Sequence, residues 1–187
     1  MSRIKYLFLF LPVCLLGTAK QQISVSYYNQ EEISLRMPEP PKFIPLESPE
    51  NIESGMMLLY EKKLFDFASF LSCYGGVDVA NWKKGGDAIY SASSFIAYRL
   101  WILHLPLIHP YVEYSAMGPT YLSKGEFAGS QFRSRFIFQN YFSIGIEFGE
   151  GVGMNLDIRL LRYSEGDFSK IGGAFRIPTL ISLGFLF

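Results

Sequence analysis

Residues 132–148 alternate in polarity with a period of two, and few folds can use so long a strand. The even positions read Phe132, Ser134, Phe136, Phe138, Asn140, Phe142, Ile144, Ile146 and Phe148. The odd positions read Arg133, Arg135, Ile137, Gln139, Tyr141, Ser143, Gly145 and Glu147. Successive side chains of a strand point to opposite faces, so one face is an apolar stripe and the other carries the charges. After a Gly-rich turn at 149–151 the pattern resumes: Met154, Leu156, Ile158 and Leu160 face one way, Asn155, Asp157 and Arg159 the other. At the C-terminus Ile177, Thr179, Ile181, Leu183, Phe185 and Phe187 share a face.

Further strands are expected at 22–36, 56–62, 66–82, 88–102 and 110–123, giving about eight. Turns are expected at Glu61-Lys62-Lys63, Gly85-Gly86-Asp87, Pro106, Gly125, 149–151 and Gly172-Gly173. Eight antiparallel strands can close into a barrel. The Pro-rich stretch 37–54 reads as a long loop between the first two strands. The first 19 residues have a basic start, Arg3 and Lys5, an apolar run at 6–16 that includes Cys14, and small residues at 17 and 19; they read as an export signal cleaved before Lys20. The rest, 20–187, reads as a single domain.

Composition removes several classes of function. Hydrophobic residues make up 49% of the chain and charged residues 18%, which excludes extensive disorder. Basic and acidic residues number 17 each, so no nucleic-acid partner is expected. Two His and two Cys are too few for the usual zinc site; no metal and no cofactor are expected. Cys73 reads as a small, half-buried strand residue.

Alternation alone does not say which face is inside. A soluble lipocalin-like carrier hides its apolar face, whereas an outer-membrane barrel shows it to lipid. Three features favour lipid outside. The apolar face is longer than a ligand cavity needs. The strand at 130–148 exceeds the ~9–11 residues that cross a bilayer at a tilt. The last residue is an aromatic, Phe187, of the kind by which bacterial barrel-assembly machinery recognises its clients. The expected fold is therefore all-β: an eight-stranded antiparallel transmembrane β-barrel of the outer-membrane type. Glu113, Glu147, Asp157, Arg133, Arg135 and Arg159 would then pair within its interior, since buried charge must be compensated.

Four segments in the second half carry a resemblance. They are Pro-Tyr-Val-Glu at 110–113, Gly-Pro-x-Tyr-Leu-Ser at 118–123, RFIFQNYFSIGIEF at 135–148 and LDIRLLRYSEG at 156–166. In that order they resemble the lipid A 3-O-deacylases, over about residues 107–187. The resemblance implies a metal-free esterase that removes the 3-position acyl chain of lipid A. Its site would lie on the outer wall near the extracellular rim, with Ser and His two apart on one strand and a Glu some fourteen residues after the His.

Carried onto this chain, Ser164 matches the nucleophile. Arg162 occupies the His position, and a guanidinium stays protonated, so it cannot accept the serine proton. Glu165 stands where the family has an Asn that assists the oxyanion hole, and a carboxylate there repels an oxyanion. The acid falls near Arg176, or at Phe175 after a one-residue shift, and neither is acidic. His104 and His109 lie in a turn on the periplasmic side, about a barrel height from Ser164. The resemblance thus implies a partner, lipid A or lipopolysaccharide in the outer leaflet, with deacylase activity reduced or lost. Arg162 would face lipid phosphate. The alternatives are a structural or ligand-binding barrel without enzymatic role, and a soluble lipophile carrier.

Overall fold

A computed structural model describes residues 20–31, 52–103, 105–149, 151–165 and 173–187. The expected export signal with Cys14, most of the expected 37–54 loop and His104 lie outside the described residues.

Among the described residues ten strands form: β1 (Gln21–Asn29), β2 (Ser54–Ala68), β3 (Leu71–Lys84), β4 (Asp87–Trp101), β5 (Ile108–Leu122), β6 (Glu126–Phe127), β7 (Ser130–Gln131), β8 (Phe136–Phe148), β9 (Gly153–Ser164) and β10 (Ala174–Leu186). Eight of them close an antiparallel barrel in the order β1-β10-β9-β8-β5-β4-β3-β2, and β6 and β7 form a separate small hairpin. The ends of β1 and β10 that carry Lys20 and Phe187 define the terminal end of the barrel; Ser164 lies at the far end.

Tight turns join neighbours where the chain supplies residues that tolerate φ > 0. Gly85 and Gly86, at φ 58° and 79°, make the β3–β4 turn. Ala128 and Gly129, at 56° and 82°, make the β6–β7 turn, so Ala128 holds a left-handed conformation that costs a residue with a Cβ.

Which face is inside is decided by burial. Outward side chains such as Ile23, Val25, Leu58, Tyr90, Ile96, Ile144, Leu156 and Leu183 are exposed and apolar. Inward ones include Gln22, Glu61, Asp78, Arg99, Glu113, Glu147, Asp157 and Arg159, all fully or nearly fully buried. A water-soluble carrier requires the opposite arrangement, so that reading is overturned. Such a wall is a lipid-facing surface, since closure of the sheet leaves no unpaired strand edge in hydrocarbon.

The interior has two zones. At the terminal end Arg99 donates from Nε to Glu113 (2.6 Å), from one terminal nitrogen to Glu61 (3.2 Å) and from the other to Glu147. Its guanidinium carbon lies 4.1 Å from the Tyr74 ring centre and 4.2 Å from that of Tyr111. Gly145 leaves room for Tyr111, because a Cβ there would strike its ring. The Tyr141 hydroxyl is placed to donate to both Glu113 (2.9 Å) and Glu61 (3.1 Å), and Lys20 reaches Glu147 from the mouth. Arg159 is held more loosely: 3.4 Å from Asp157 and 3.7 Å from Glu113, without hydrogen-bond geometry, and 4.2 Å from the centre of the Tyr141 ring. Toward the far end the filling is aromatic. Trp82 donates to the Tyr163 hydroxyl (3.2 Å), Tyr163 stacks on Phe175 (4.8 Å), and Phe127 and Phe132 from the β6–β7 segment close over Phe175.

Four expectations are corrected. The charged run Glu61-Lys62-Lys63 is not a turn; it lies within β2, and the turn falls at Ser69-Phe70. The first strand ends at Asn29 rather than near residue 36. The strand expected from 132 starts at Phe136, so Arg133 and Arg135 are exposed loop residues rather than partners inside. Finally, the pairing of β10 with β9 slips between Ile177 and Leu180, at Pro178, which has no N–H to give to a ladder. Ile177 is therefore buried inside, although Ile181, Leu183 and Phe185 are outside.

Candidate functional site on the outer wall

Ser164 is the last residue of β9. Tyr163 and Leu161 point into the core, so alternation turns Arg162 and Ser164 outward. Across the sheet Ser164 pairs with Phe138 on β8 and Ala174 on β10; Arg162 pairs with Asn140 and Arg176. The slip at Pro178 is what places Arg176 on the outside, because unbroken alternation from Leu183 would turn it inward. Phe175 points inward and is fully buried against Tyr163, so it is not available as the acid position on the wall. Arg162, Arg176 and Ser164 thus share one patch of outer wall at the far rim, with Asn140 beside them.

Among the described residues, no base stands in register with Ser164, which is itself 9% exposed. A serine hydroxyl is a weak nucleophile until a group within hydrogen-bond reach takes its proton. Arg162, two residues away, can only donate. Glu165 is otherwise engaged: its Oε1 accepts the backbone N–H of Arg133 and, at 3.3 Å, that of Ser134. This carboxylate pins the segment before β8 to the end of β9. His109 cannot substitute. It lies at the terminal end, edge-on to Trp101 and in register with Glu147, whose other neighbour Asn155 is nine residues from Ser164 along β9. At strand rise that is on the order of 30 Å.

The sequence reading missed Arg99 and Glu61, the centre of the interior network. The signal was present, since Arg99 falls on the opposite parity to Tyr98, Leu100 and Ile102.

An eight-stranded barrel with a lipid-facing wall, a filled interior and a serine at the far rim defines the class: a transmembrane barrel of the outer-membrane type. Within it the chain belongs to the lipid A 3-O-deacylase (PagL) family, whose model matches residues 60–171. The match begins well before the segments that carry the resemblance and ends before Arg176, whose place rests on the β9–β10 register. Among solved structures, the crystal structure of the outer membrane enzyme PagL has 14% identity and a TM-score of 0.57 over 89% of this chain and 97% of that one. The Yersinia pestis outer membrane protein Ail, in a phospholipid bilayer nanodisc, has 13% identity and a TM-score of 0.42 over 90% and 99%. No curated protein matches the chain significantly.

Proposed function

We propose that this chain is an outer-membrane barrel of the deacylase family that binds lipid A in the outer leaflet without hydrolysing it efficiently. The observation that carries the reading is the cross-strand pair Arg162–Arg176 beside Ser164. The two arginines stand where hydrolysis needs a base and an acid to orient it. General-base assistance is typically worth ~10²–10⁴-fold, so its loss leaves at most a slow enzyme. In this reading residues 1–19 are removed on export from a Gram-negative cytoplasm, and Phe187, which is exposed and stacked on Phe185, engages the barrel-assembly machinery. The test is mass spectrometry of lipid A from cells with and without the protein. The expected result is an unchanged set of acyl chains, together with co-purification of lipid A. Loss of the 3-position acyl chain in cells carrying the wild type but not Ser164→Ala would overturn the non-hydrolysing part. Intact lipid A that does not co-purify would leave a purely structural barrel.

A further inference from the structure

We propose that the tip of the β2–β3 hairpin is a membrane anchor, with Phe65, Phe67 and Phe70 lying among the lipids of the leaflet at the terminal end of the barrel. Lys62 pairs with Gln21, the first residue of β1, yet β2 runs on past it to Ala68. This overhang has two unlike faces. Asp66 faces the mouth of the barrel, where it accepts a hydrogen bond from the Ser72 hydroxyl (2.6 Å) and pairs with Lys63 (2.7 Å). The pairing of β2 with β3 shifts between Lys63 and Phe65, and beyond that shift the odd-numbered side chains of β2 turn outward. Phe65 therefore lies opposite Cys73 and packs edge-on against Phe67, whose ring is 6.0 Å from that of Tyr98 on the wall of β4. Phe65, Phe67 and, at the turn, Phe70 are 50%, 57% and 55% exposed. The far-end turn of the same strand, Lys83-Lys84-Gly85-Gly86-Asp87, carries no apolar side chain.

Contiguous exposed apolar surface marks contact with a membrane or with another protein. Continuity decides in favour of lipid. The three rings prolong the lipid-facing face on which Met56 and Leu58 lie, and Leu103, Leu105 and Leu107 of the neighbouring turn are exposed as well. Lys62 interrupts that face, but a lysine stem lies along apolar surface while its ammonium reaches the headgroups. Tyr and Trp are the residues that settle at headgroup level, because each has a polar handle. Phe has none, so a tip built from three of them belongs on the acyl side of the interface. The charges of the hairpin, Lys63 and Asp66, are paired at the mouth, which leaves its outer side free to enter hydrocarbon.

The experiment places Phe67→Trp and Phe70→Trp, singly, in phosphatidylcholine nanodiscs, whose two faces both meet the buffer. Each added indole is read as the difference from the wild type, whose Trp82 and Trp101 donate to partners inside the barrel. Heat-dependent gel mobility selects the folded variants. The expected difference emission lies to the blue of a hydrated indole. It loses most of its intensity when the lipids carry bromine in the upper acyl chain, and iodide in the buffer removes little of it. Glu126→Trp, on the exposed side of the β6–β7 hairpin, should show the reverse pattern. Quenching by iodide and not by brominated lipid, at either position of the tip, puts the hairpin in water and overturns the anchor. Quenching by neither shows that protein covers the tip, as a second copy of the chain would, and overturns it too.

Discussion

Two arginine clusters in this barrel follow opposite rules. Inside, Arg99 is surrounded by Glu61, Glu113 and Glu147 and sandwiched between Tyr74 and Tyr111. On the outer wall, Arg162 pairs in backbone register with a second arginine, Arg176. The difference is one of surroundings. Arg99 and its three carboxylate partners are fully buried, so their charges must be balanced mainly by one another. Arg162 and Arg176 on the wall are part exposed, so their charges are not sealed off from the surroundings in the same way. Interior charges are therefore tied to the stability of the barrel, while wall charges can change identity and alter only what the wall recognises.

This contrast makes graded predictions for thermal melts in detergent. Arg99→Ala removes the cation shared by three buried carboxylates and should cost about 3–5 kcal/mol, the cost of breaking a buried ion pair. Arg159→Ala should cost less, about 2 kcal/mol, because Arg159 makes looser ion pairs and leans on the Tyr141 ring. Should Arg159→Ala prove worse than Arg99→Ala, the hydrogen bonds of Arg99 are not what anchors the network. Glu165→Ala frees two backbone N–H groups that water can reach, so about 1 kcal/mol is expected, with faster proteolysis around Arg133 and Arg135. Arg162→Gln should shift stability least, by under about 0.5 kcal/mol. A melt of Arg162→Gln as low as that of Arg99→Ala would erase the distinction between the two clusters.

Much of the barrel was legible in the sequence because alternation reports the two faces directly. The stripes on β8 and β9 gave the fold, and Glu113, Glu147, Asp157 and Arg159 could be placed inside from parity. What failed shares a physical cause: local signals that tertiary closure overrides. Glu61-Lys62-Lys63 has the composition of a turn, yet the barrel carries β2 through it because Glu61 has Arg99 to meet. Arg133 and Arg135 continue the alternation of β8, but the chain leaves the wall before Phe136 so that Phe132 can cap the aromatic zone. The parity of Ser164 and Arg162, opposite to that of buried Leu161 and Tyr163, is likewise readable from the sequence. The position of Arg176 depends on the slip at Pro178, and a slip shows only when two strands are aligned.

The central claim is that the wall keeps the place of an esterase site while lacking its base, its acid and its oxyanion donor. Restoration tests it most directly: 3-position acyl release from lipid A by the purified wild type, by Ser164→Ala, and by the triple variant Arg162→His, Glu165→Asn, Arg176→Glu. The account predicts wild-type release no faster than that of Ser164→Ala, and release by the triple variant raised by about 10²-fold or more. Robust release by the wild type that Ser164→Ala abolishes would contradict it, since a base not identified on this wall would then be serving Ser164.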